Sequence, residues 1–377
     1  MIKSWSYINE YKNLRKKIIK SIDKTLLSGQ LFFGDELKKF ENKFLKINNL
    51  KYGISVGSGT DALYISLLAL GIGNKDEVIT VSNTAIPTVS AIRSCGALPK
   101  FVDITNDFLI DEKKIEKNIS KNTKAIIPVH LYGQACNMEK ICHIAKKYKL
   151  KIIEDCAQAQ GAKFKNKYVG NFGDTGCFSF YPTKILGAYG DGGFISTNSL
   201  KLYQKIKRIR FYGIENDNKK NKFKNVYYAN EHGINSRIDE IQSSILNIKL
   251  PNVNRWINQR RIMANLYSKE LKNTSLKLPF EKTNNKHVFH LYVVYHRKRN
   301  QILKELKKFN IQIGINYPYP IHKMKAYNNF NCNKNSQLPI TEKMSKGIFS
   351  LPIYPTLKTK EVLKICKTLR KILKRIQ

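Results

Sequence analysis

Short apolar segments that alternate with longer connecting segments are the feature that most constrains how this chain can fold. Buried strands separated by helix-length connections are typical of βαβ units, in which a parallel sheet is covered by helices on both faces. We therefore predict an α/β fold with a mostly parallel central sheet. Its expected strands are Tyr52 to Val56, Glu77 to Val81, Leu98 to Val102, Ala125 to Val129, Lys151 to Ile153 and Gly176 to Phe180.

A helix precedes these strands and a loop follows them. Apolar residues recur at helical spacing from Tyr11 to Leu26, and Ser28 and Gly29 end the pattern. The stretch from Gly213 to Gly233 is rich in Asn and Lys, which predicts a surface loop that could serve as an active-site flap. A further helix is expected from Ser236.

The pattern changes beyond Pro251 and indicates a second, smaller domain. We predict a large domain of residues 1–250 and a small C-terminal α+β domain of residues 251–377. The small domain is expected to contain a long helix through Arg260 and Tyr267, a strand His290 to Tyr295, a helix Arg299 to Phe309, a strand Ile311 to Asn316 and a final amphipathic helix.

The charge of the chain is unusual. Its 377 residues include 67 Lys and Arg against 28 Asp and Glu, a formal net charge of +39. Such an excess raises the hypothesis of a nucleic-acid or anionic-membrane partner. Lys is, however, spread along the whole chain with no single basic stripe, as biased coding DNA would also produce, and we expect neither partner.

Targeting and redox signals point to the cytoplasm. The first residues are charged and aromatic, without the apolar core of a signal peptide. The longest largely apolar stretch, Ala62 to Gly73, is too short to span a bilayer. The seven cysteines are scattered and form no CxxC pair, so we expect no disulfide framework and no metal site.

Lys184 is the strongest candidate for chemistry. It lies in a turn of small residues directly after Phe178, Phe180, Tyr181 and Pro182. Most lysines are exposed and charged, but burial among apolar groups lowers an ammonium pKa and leaves a nucleophilic amine. Such a lysine suits Schiff-base chemistry with a carbonyl cofactor.

Asp155 and Gln158 are the candidates that would complete such a site. A cofactor that stabilises a carbanion needs an acid held against its ring nitrogen, and Asp155 ends an apolar strand where ligands are expected to bind. Asp155 could equally cap a following helix, and Gln158 could contact a phenolic oxygen or face solvent on that helix. Both alternatives remain open on these residues alone.

A Gly-rich turn from Gly57 to Leu63 could hold a phosphate. It connects a predicted strand to a helix that we expect to begin near Thr60, and backbone N–H groups at a helix N-terminus bind anions. Ser179 could add a hydroxyl donor. A tight turn without ligand is the alternative, and the Lys of a Walker P-loop is absent.

Together these segments resemble the DegT/StrS-type sugar-nucleotide aminotransferases, which are fold-type I pyridoxal-phosphate enzymes. The resemblance covers nearly the whole chain in family order. It is carried by LLSGQLFFGDELKKFENKF, GSGTDAL, DEVITVSNTAIPT, PVHLYGQACNM, IIEDCAQAQGA, GCFSFYPTKILGAYGDGG, RIRFYGI, GINSRIDEIQSSIL and NYPYPIH.

The resemblance implies a role for each candidate residue. Lys184 would carry pyridoxal 5'-phosphate as a Schiff base and move the proton, and Asp155 would pair with the ring nitrogen. The remaining implied contacts are Gln158 with the phenolic oxygen, Gly59, Thr60 and Ser179 with the phosphate, Asn235 with the phosphate of the neighbouring subunit in a homodimer, and Tyr181 and His322 with the substrate.

Two further details bear on ring stacking and on specificity. Many relatives have an aromatic residue stacked on the cofactor ring where this chain has Ala85, which leaves that role unassigned. YPTKILGAYGDGG resembles the branch that aminates the third carbon of the sugar. Relatives acting at the fourth carbon tend to have Thr-Thr and Glu-Gly-Gly after the lysine.

The resemblance therefore implies transfer of an amino group from L-glutamate to a nucleoside-diphosphate 3-keto-6-deoxyhexose, with thymidine as the expected nucleoside. The product would be a 3-amino-3,6-dideoxy sugar nucleotide for surface polysaccharide or lipopolysaccharide synthesis. The alternatives are amination at the fourth carbon or of a UDP-linked sugar. A dehydratase is disfavoured because those relatives have His in place of Lys184. A nucleic-acid binder or a non-catalytic regulatory relative is a further, less favoured alternative.

Overall fold

A computed structural model describes residues 1–214, 228–328 and 337–376. It contains a seven-stranded sheet with the strand order β1-β9-β8-β5-β4-β2-β3. Four neighbouring pairs in it are parallel, and β9 runs antiparallel between β1 and β8. The predicted α/β fold with a mostly parallel sheet is confirmed. Its strands are β1 Tyr52–Val56, β2 Glu77–Val81, β3 Leu98–Val102, β4 Thr123–Ile126, β5 Lys151–Asp155, β8 Thr175–Ser179 and β9 Gly193–Thr197.

The bounds of three predicted strands match the structure, and the others differ. Strand β4 ends at Ile126 rather than Val129, which forms only an isolated bridge with Asp155. Strand β5 continues to Asp155, and β8 begins and ends one residue earlier than predicted. We did not predict β9, whose five residues are all buried although the segment is rich in Gly, Ser and Thr.

Helices cover both faces of the sheet. Neighbouring residues of a strand point to opposite faces, and accordingly Ile152 and Ile153 of β5 belong to two different hydrophobic clusters. Helices on either side of these clusters carry the loops that form the site at the carboxyl end of the parallel strands. They are α1 Ile8–Leu27, α2 Asp35–Asn48, α3 Gly59–Ala69, α4 Ile86–Ser94, α5 Met138–Lys147, α6 Leu200–Ile209 and α7 Glu240–Lys249, with the short strands β6 Lys163–Phe164 and β7 Lys167–Tyr168.

The predicted helix at Ser236 begins later. Glu240 is the first residue of α7, and the Asp239 side chain caps it by accepting the N–H of Gln242 at 2.7 Å. Ser236 is instead buried in the preceding loop. Most of the predicted loop from Gly213 to Gly233 lies outside the described residues.

A third hydrophobic cluster holds most of the C-terminal elements together, whereas Met344 belongs to the first cluster and Asn285 and Lys286 pair with β6. The third cluster also includes Ile2 from the start of the chain, and the division at residue 250 stays a prediction. The elements are α8 Val253–Leu271, β10 Asn285–Lys286, β11 Tyr292–Tyr295, α9 Arg299–Lys308, α10 Pro339–Gly347, β12 Ile348–Leu351 and α11 Thr359–Ile376.

The predicted strand Ile311 to Asn316 is wrong. Only isolated bridges form there, between Ile311 and Ile2 and between Gly314 and Ser350. The antiparallel partner of β11 is instead β12, which we did not predict. The final helix α11 docks its apolar side on the third cluster, as a helix of its own domain would. None of the helices in the described ranges is long and apolar enough to cross a membrane.

Candidate functional site

Lys184 and Asp155 lie close enough to influence each other's charge. Lys184 follows β8 by five residues, and Asp155 ends the neighbouring parallel strand β5. Burial lowers the pKa of Lys184 from 10.5 to about 8, while the carboxylate of Asp155 acts in the opposite direction. The site therefore makes a neutral amine available at a lower pH than an ordinary lysine would, next to an acid, as predicted for a nucleophilic lysine.

Asp155 is 5% exposed and is held by two donors. The Thr88 hydroxyl donates to Oδ2 at 2.8 Å, and the N–H of Ala157 donates to Oδ1 at 3.1 Å. Burial raises the pKa of this carboxyl, and the two hydrogen bonds and Lys184 oppose that shift. No helix follows Asp155, so the helix-cap alternative is wrong. Each carboxylate oxygen retains a free lone pair that could accept a further donor.

The turn before α3 forms a cradle with Ser179. Ser58 caps the helix by accepting the N–H of Asp61, and the N–H groups of Gly59 and Thr60 in the first helical turn have no intrahelical acceptor. A Cβ on Gly59 would lie 2.6 Å from the Cβ of Ser179, so only glycine allows this approach. The helix therefore begins as predicted, and its donors lie next to the Ser179 hydroxyl.

Gln158 is not a solvent-facing helix residue. Its Oε1 accepts the N–H of Tyr132 at 2.9 Å, and its Nε2 donates to the Tyr317 hydroxyl at 2.9 Å. Burial raises the pKa of Tyr317 to about 12, so its hydroxyl stays protonated. Gln158 thus connects the loop after β4 to the C-terminal region, and a contact with a phenolic oxygen would be additional.

Asn235 is exposed and caps no helix. The neighbouring Ser236 is buried, accepts the N–H of Gly57 at 2.8 Å and donates to Asp61 at 2.7 Å. The Asn235 segment is thereby fastened to the turn before α3 of its own chain.

Tyr181 and His322 occupy different surroundings. Tyr181 is 53% exposed beside Lys184. The His322 ring contacts the Ser82 hydroxyl through Nδ1 at 2.7 Å and Glu342 through Nε2 at 3.2 Å. A carboxylate only accepts, so Nε2 carries the proton and Nδ1 accepts from Ser82. Both ring nitrogens are engaged, and a substrate contact by His322 stays a prediction.

The sequence did not single out four side chains of this site. Thr88 holds Asp155, Tyr132 and Tyr317 surround Gln158, and His290 lies near Lys184. Thr88, Tyr132 and Tyr317 lie inside segments that carry the family resemblance, which was the available signal. Ala85 precedes α4 and supplies no ring.

His130, Glu154 and Cys156 form a buried group behind Asp155 whose ligand atoms lie within 4.8 Å of one another. Glu154 accepts the N–H groups of Phe172 and Gly173 and faces His130 Nε2 at 3.1 Å. His130 Nδ1 accepts a backbone N–H, so Nε2 carries the proton. These hydrogen bonds already use the His130 and Glu154 atoms that would bind a metal, and we interpret the group as structural support.

The donor set fits a phosphorylated heterocyclic aldehyde. Lys184 offers an amine of lowered pKa, Asp155 a buried acid for a ring nitrogen, and the α3 N-terminus with Ser179 a phosphate cradle. The three lie at the carboxyl end of the parallel strands, where ligands bind in such sheets.

Comparisons with known proteins agree with this geometry. The model of the "DegT/DnrJ/EryC1/StrS aminotransferase family" matches residues 12–370. The dTDP-3-amino-3,4,6-trideoxy-alpha-D-glucose transaminase of Micromonospora megalomicea subsp. nigra is 41% identical over 360 residues, covering 94% of each chain. The dTDP-3-amino-3,6-dideoxy-alpha-D-galactopyranose transaminase of Aneurinibacillus thermoaerophilus is 42% identical over 358 residues, covering 95% of each.

A solved structure extends the likeness to three dimensions. The crystal structure of ntda from Bacillus subtilis with bound cofactor PMP has a TM-score of 0.88 and 31% identity, and the match covers 96% of this chain and 82% of that one.

Proposed function

The chain belongs to the DegT/DnrJ/EryC1/StrS aminotransferase family, whose members use pyridoxal phosphate, and from this we propose that it aminates the third carbon of a nucleotide-linked keto-sugar. The amino donor would be L-glutamate and the acceptor a dTDP-linked 3-keto-6-deoxyhexose. The product would be a dTDP-3-amino-3,6-dideoxy sugar, used in surface polysaccharide synthesis.

One observation carries the proposal: the low-pKa amine of Lys184 lies opposite the buried carboxyl of Asp155, beside the phosphate cradle. When bound, pyridoxal phosphate supplies an aldehyde for covalent attachment and a ring that accepts electron density. Every other part of the chemistry falls to side chains of this chain.

Lys184 would hold the cofactor covalently and, once released, take up and return the proton at the reacting carbon. Its lowered pKa suits both tasks, because a general base works best with a pKa near the operating pH. Asp155 would keep the ring nitrogen protonated, and Thr88 keeps the carboxylate oriented for that contact. Gly59, Thr60 and Ser179 would anchor the phosphate.

Support for the third carbon comes from two directions. Both transaminases reported above are named for 3-amino sugars linked to dTDP. The residues that follow Lys184, through Gly193, are those that resemble the same branch. In the structure the N–H of Tyr189 in this segment donates to Gln242 Oε1 at 2.9 Å, so α7 fixes the loop beside the reacting amine.

A homodimer with shared sites belongs to the same proposal. Asn235 is exposed, as a residue that reaches into a partner must be. Exposed apolar side chains lie at the end of α1 and just after it, at Leu27, Leu31 and Phe32. The guanidinium of Arg237 lies 4.2 Å from the Phe32 ring, which places this apolar surface beside the Asn235 segment.

The direct test mixes the purified protein with pyridoxal phosphate and records the absorbance band of the Lys184-linked cofactor. Wild type should show it, and Lys184→Ala should not. L-glutamate should then bleach the band, and NMR of the product formed with a panel of keto-sugars identifies the aminated carbon. An identical spectrum for wild type and Lys184→Ala would refute the proposal.

A further inference from the structure

His290 is a buried histidine of the site with an unused hydrogen-bonding atom. It is 6% exposed, and its Nδ1 is buried with no hydrogen-bond partner among the described residues. Leaving such an atom unsatisfied is unfavourable, because the nitrogen loses its hydrogen bond to water and gains none, and it is uncommon in native proteins. An unpaired nitrogen of this kind therefore indicates a ligand that supplies the missing partner.

The main chain holds His290 firmly in place. Arg260 donates to the His290 carbonyl at 3.2 Å, and the neighbouring Leu291 N–H donates to the Tyr132 carbonyl at 3.3 Å. The N–H of Tyr132 is in turn bound by Gln158, the third residue after Asp155. His290 is thus tied through two residues to the loop that carries Asp155.

His287, a nearby buried histidine with a structural role, provides a comparison for the hydrogen bonding of His290. His287 is 3% exposed, and its Nδ1 accepts the N–H of Phe289 at 3.0 Å. Its ring also stacks on the Phe289 ring at 3.9 Å between centroids. His287 and His290 lie on the same segment at similar depth, and of the two only His290 has an unpaired Nδ1.

The electrostatic surroundings of His290 favour an anionic ligand group. Burial and then the charges of Lys184 and Arg260 hold the pKa of His290 well below its usual range, so the ring is neutral. Arg260 is 2% exposed, and one of its terminal guanidinium nitrogens donates to three backbone carbonyls. Its Nε has no hydrogen-bond partner among the described residues. No carboxylate of the described residues lies within ion-pair distance of this guanidinium.

We propose that the Nδ1–H of His290 binds the α-carboxylate of the amino-acid donor, within the positive field of Arg260 and Lys184. The inference rests on the proposed function. In an α-amino acid the carboxylate is one bond from the carbon that loses its proton to Lys184, so the carboxylate must lie close to that lysine. The reacting end of a keto-sugar carries hydroxyls and no charge, and would gain less from this field.

Three substitutions distinguish the contribution of the Nδ1 hydrogen bond from that of the imidazole ring as a whole. His290→Leu removes all polar atoms, His290→Asn keeps an amide near the Nδ1 position, and His290→Gln places one near Nε2. His287→Leu is the matched control, because it removes a buried histidine of the same segment that lies outside the site. Thermal melting of all four variants reports whether each remains folded.

The measurement is the half-reaction between the cofactor-loaded protein and L-glutamate, followed by the loss of the cofactor absorbance band. The L-glutamate concentration that half-saturates this reaction should rise about 10- to 100-fold in His290→Leu, the usual effect of losing a hydrogen bond to a charged group. His290→Asn should recover part of this loss and His290→Gln less. The KM for the keto-sugar and the His287→Leu control should change less than about threefold.

A donor without the α-carboxylate tests the contact itself. γ-Aminobutyrate should react poorly with wild type. Its half-saturating concentration should be the same in His290→Leu as in wild type, since the carboxylate that His290 contacts is absent. Glutarate, a dicarboxylate without an amine, should raise the melting temperature of wild type more than that of His290→Leu.

The outcomes distinguish this inference from the proposed function. If wild type shows no absorbance change with L-glutamate, the aminotransferase proposal fails. If wild type reacts but His290→Leu saturates with L-glutamate as wild type does, only the carboxylate contact is overturned. An equal loss of L-glutamate and γ-aminobutyrate saturation in His290→Leu also overturns it.

Discussion

Lys184 illustrates how far a single residue can be understood from its neighbours in sequence. The aromatic residues before it predicted burial and a lowered pKa; in the structure Lys184 is partly buried, and desolvation lowers its pKa. The proximity of Asp155 was expected from the family resemblance. The structure adds the reason, because the strands that carry the two residues are adjacent and parallel.

The lowered pKa has a consequence that can be measured. Lys184 should become a neutral, reactive amine as the pH rises through about 8, whereas an ordinary lysine does so near 10.4. Asp155→Asn should move this midpoint below that of wild type, because the carboxylate raises the lysine pKa. Pulse labelling of the cofactor-free protein with an amine reagent, followed by mass spectrometry of the Lys184 peptide, gives the midpoint.

Exposed lysines on the same protein serve as the internal reference for that labelling. A Lys184 midpoint as high as theirs would contradict the effect of burial. An unchanged midpoint in Asp155→Asn would show that the two side chains do not interact.

The hydrogen bond from Thr88 to Asp155 could not have been predicted from residue types. The two lie 67 positions apart, and a threonine at the start of a helix has many possible partners. We did not predict Tyr132, Tyr317 and His290 as site residues for the same reason, because their roles depend on which loops meet at the end of the sheet. The sequence therefore suggested the groups proposed to carry chemistry and not the groups that hold them in place.

Strand bounds were predicted best where the segment is short and mostly apolar. Strands β1, β2 and β3 are mostly buried, with Tyr52, Leu98 and Lys100 only partly so, and their bounds match. Strand β9 is equally buried but contains Gly, Ser and Thr, because the Ser196 hydroxyl donates to the Gly170 carbonyl inside the sheet. The segment from Ile311 to Asn316 has the apolar residues of a strand, yet it forms only isolated bridges.

Helix α2 depends on a residue that lies 206 positions away. Its own first residue is preceded by Gly34, which offers no side-chain cap. The Glu240 carboxylate from α7 accepts the N–H of Gly34 at 2.7 Å and that of Glu36 at 2.8 Å, and it also reaches Leu37. Glu240 is 3% exposed, so these charge-assisted bonds are shielded from water.

Glu240→Ala should therefore destabilise the fold by about 2–4 kcal/mol, since it removes a helix cap and leaves buried N–H groups without acceptors. Glu240→Gln, which keeps one oxygen, should fall between this variant and wild type. Urea unfolding followed by circular dichroism gives the comparison. Asp35→Ala is the control, because Asp35 is an exposed acid in the first turn of the same helix.

A loss in Glu240→Ala no larger than that in Asp35→Ala would mean that the contact between α7 and α2 contributes little. The pair of helices would then owe its position to apolar packing alone.

At the scale of the whole molecule, the fold class followed from the alternation of strands and helices, and the position proposed for the site followed from the carboxyl ends of the parallel strands. Neither needed a single tertiary contact to be known. The assembly is different, because a chain cannot reveal by its own contacts which exposed surface meets a second copy. The shared site of the proposed homodimer is the statement most in need of a direct test.

Two inactive variants can provide that test. Lys184→Ala lacks the reacting amine, and Asn235→Ala should lack a phosphate contact that the proposal assigns to the neighbouring subunit. In a mixed dimer one site combines both defects, while the other has an intact Lys184 from one protomer and an intact Asn235 from its partner. Mixing the two variants after mild dissociation should therefore restore activity that neither shows alone. The restored activity should reach at most about a quarter of the wild-type value, because random pairing makes half of the dimers mixed and each mixed dimer has one of its two sites intact.

Lys184→Ala mixed with Asp155→Ala is the control. Both defects are assigned to the same protomer's contribution to a site, so the mixed dimer has no intact site. Restoration by the first mixture and not by the second requires that Asn235 acts across the interface; if the first mixture stays as inactive as its components, Asn235 serves its own chain, where Ser236 already fastens it beside the turn before α3.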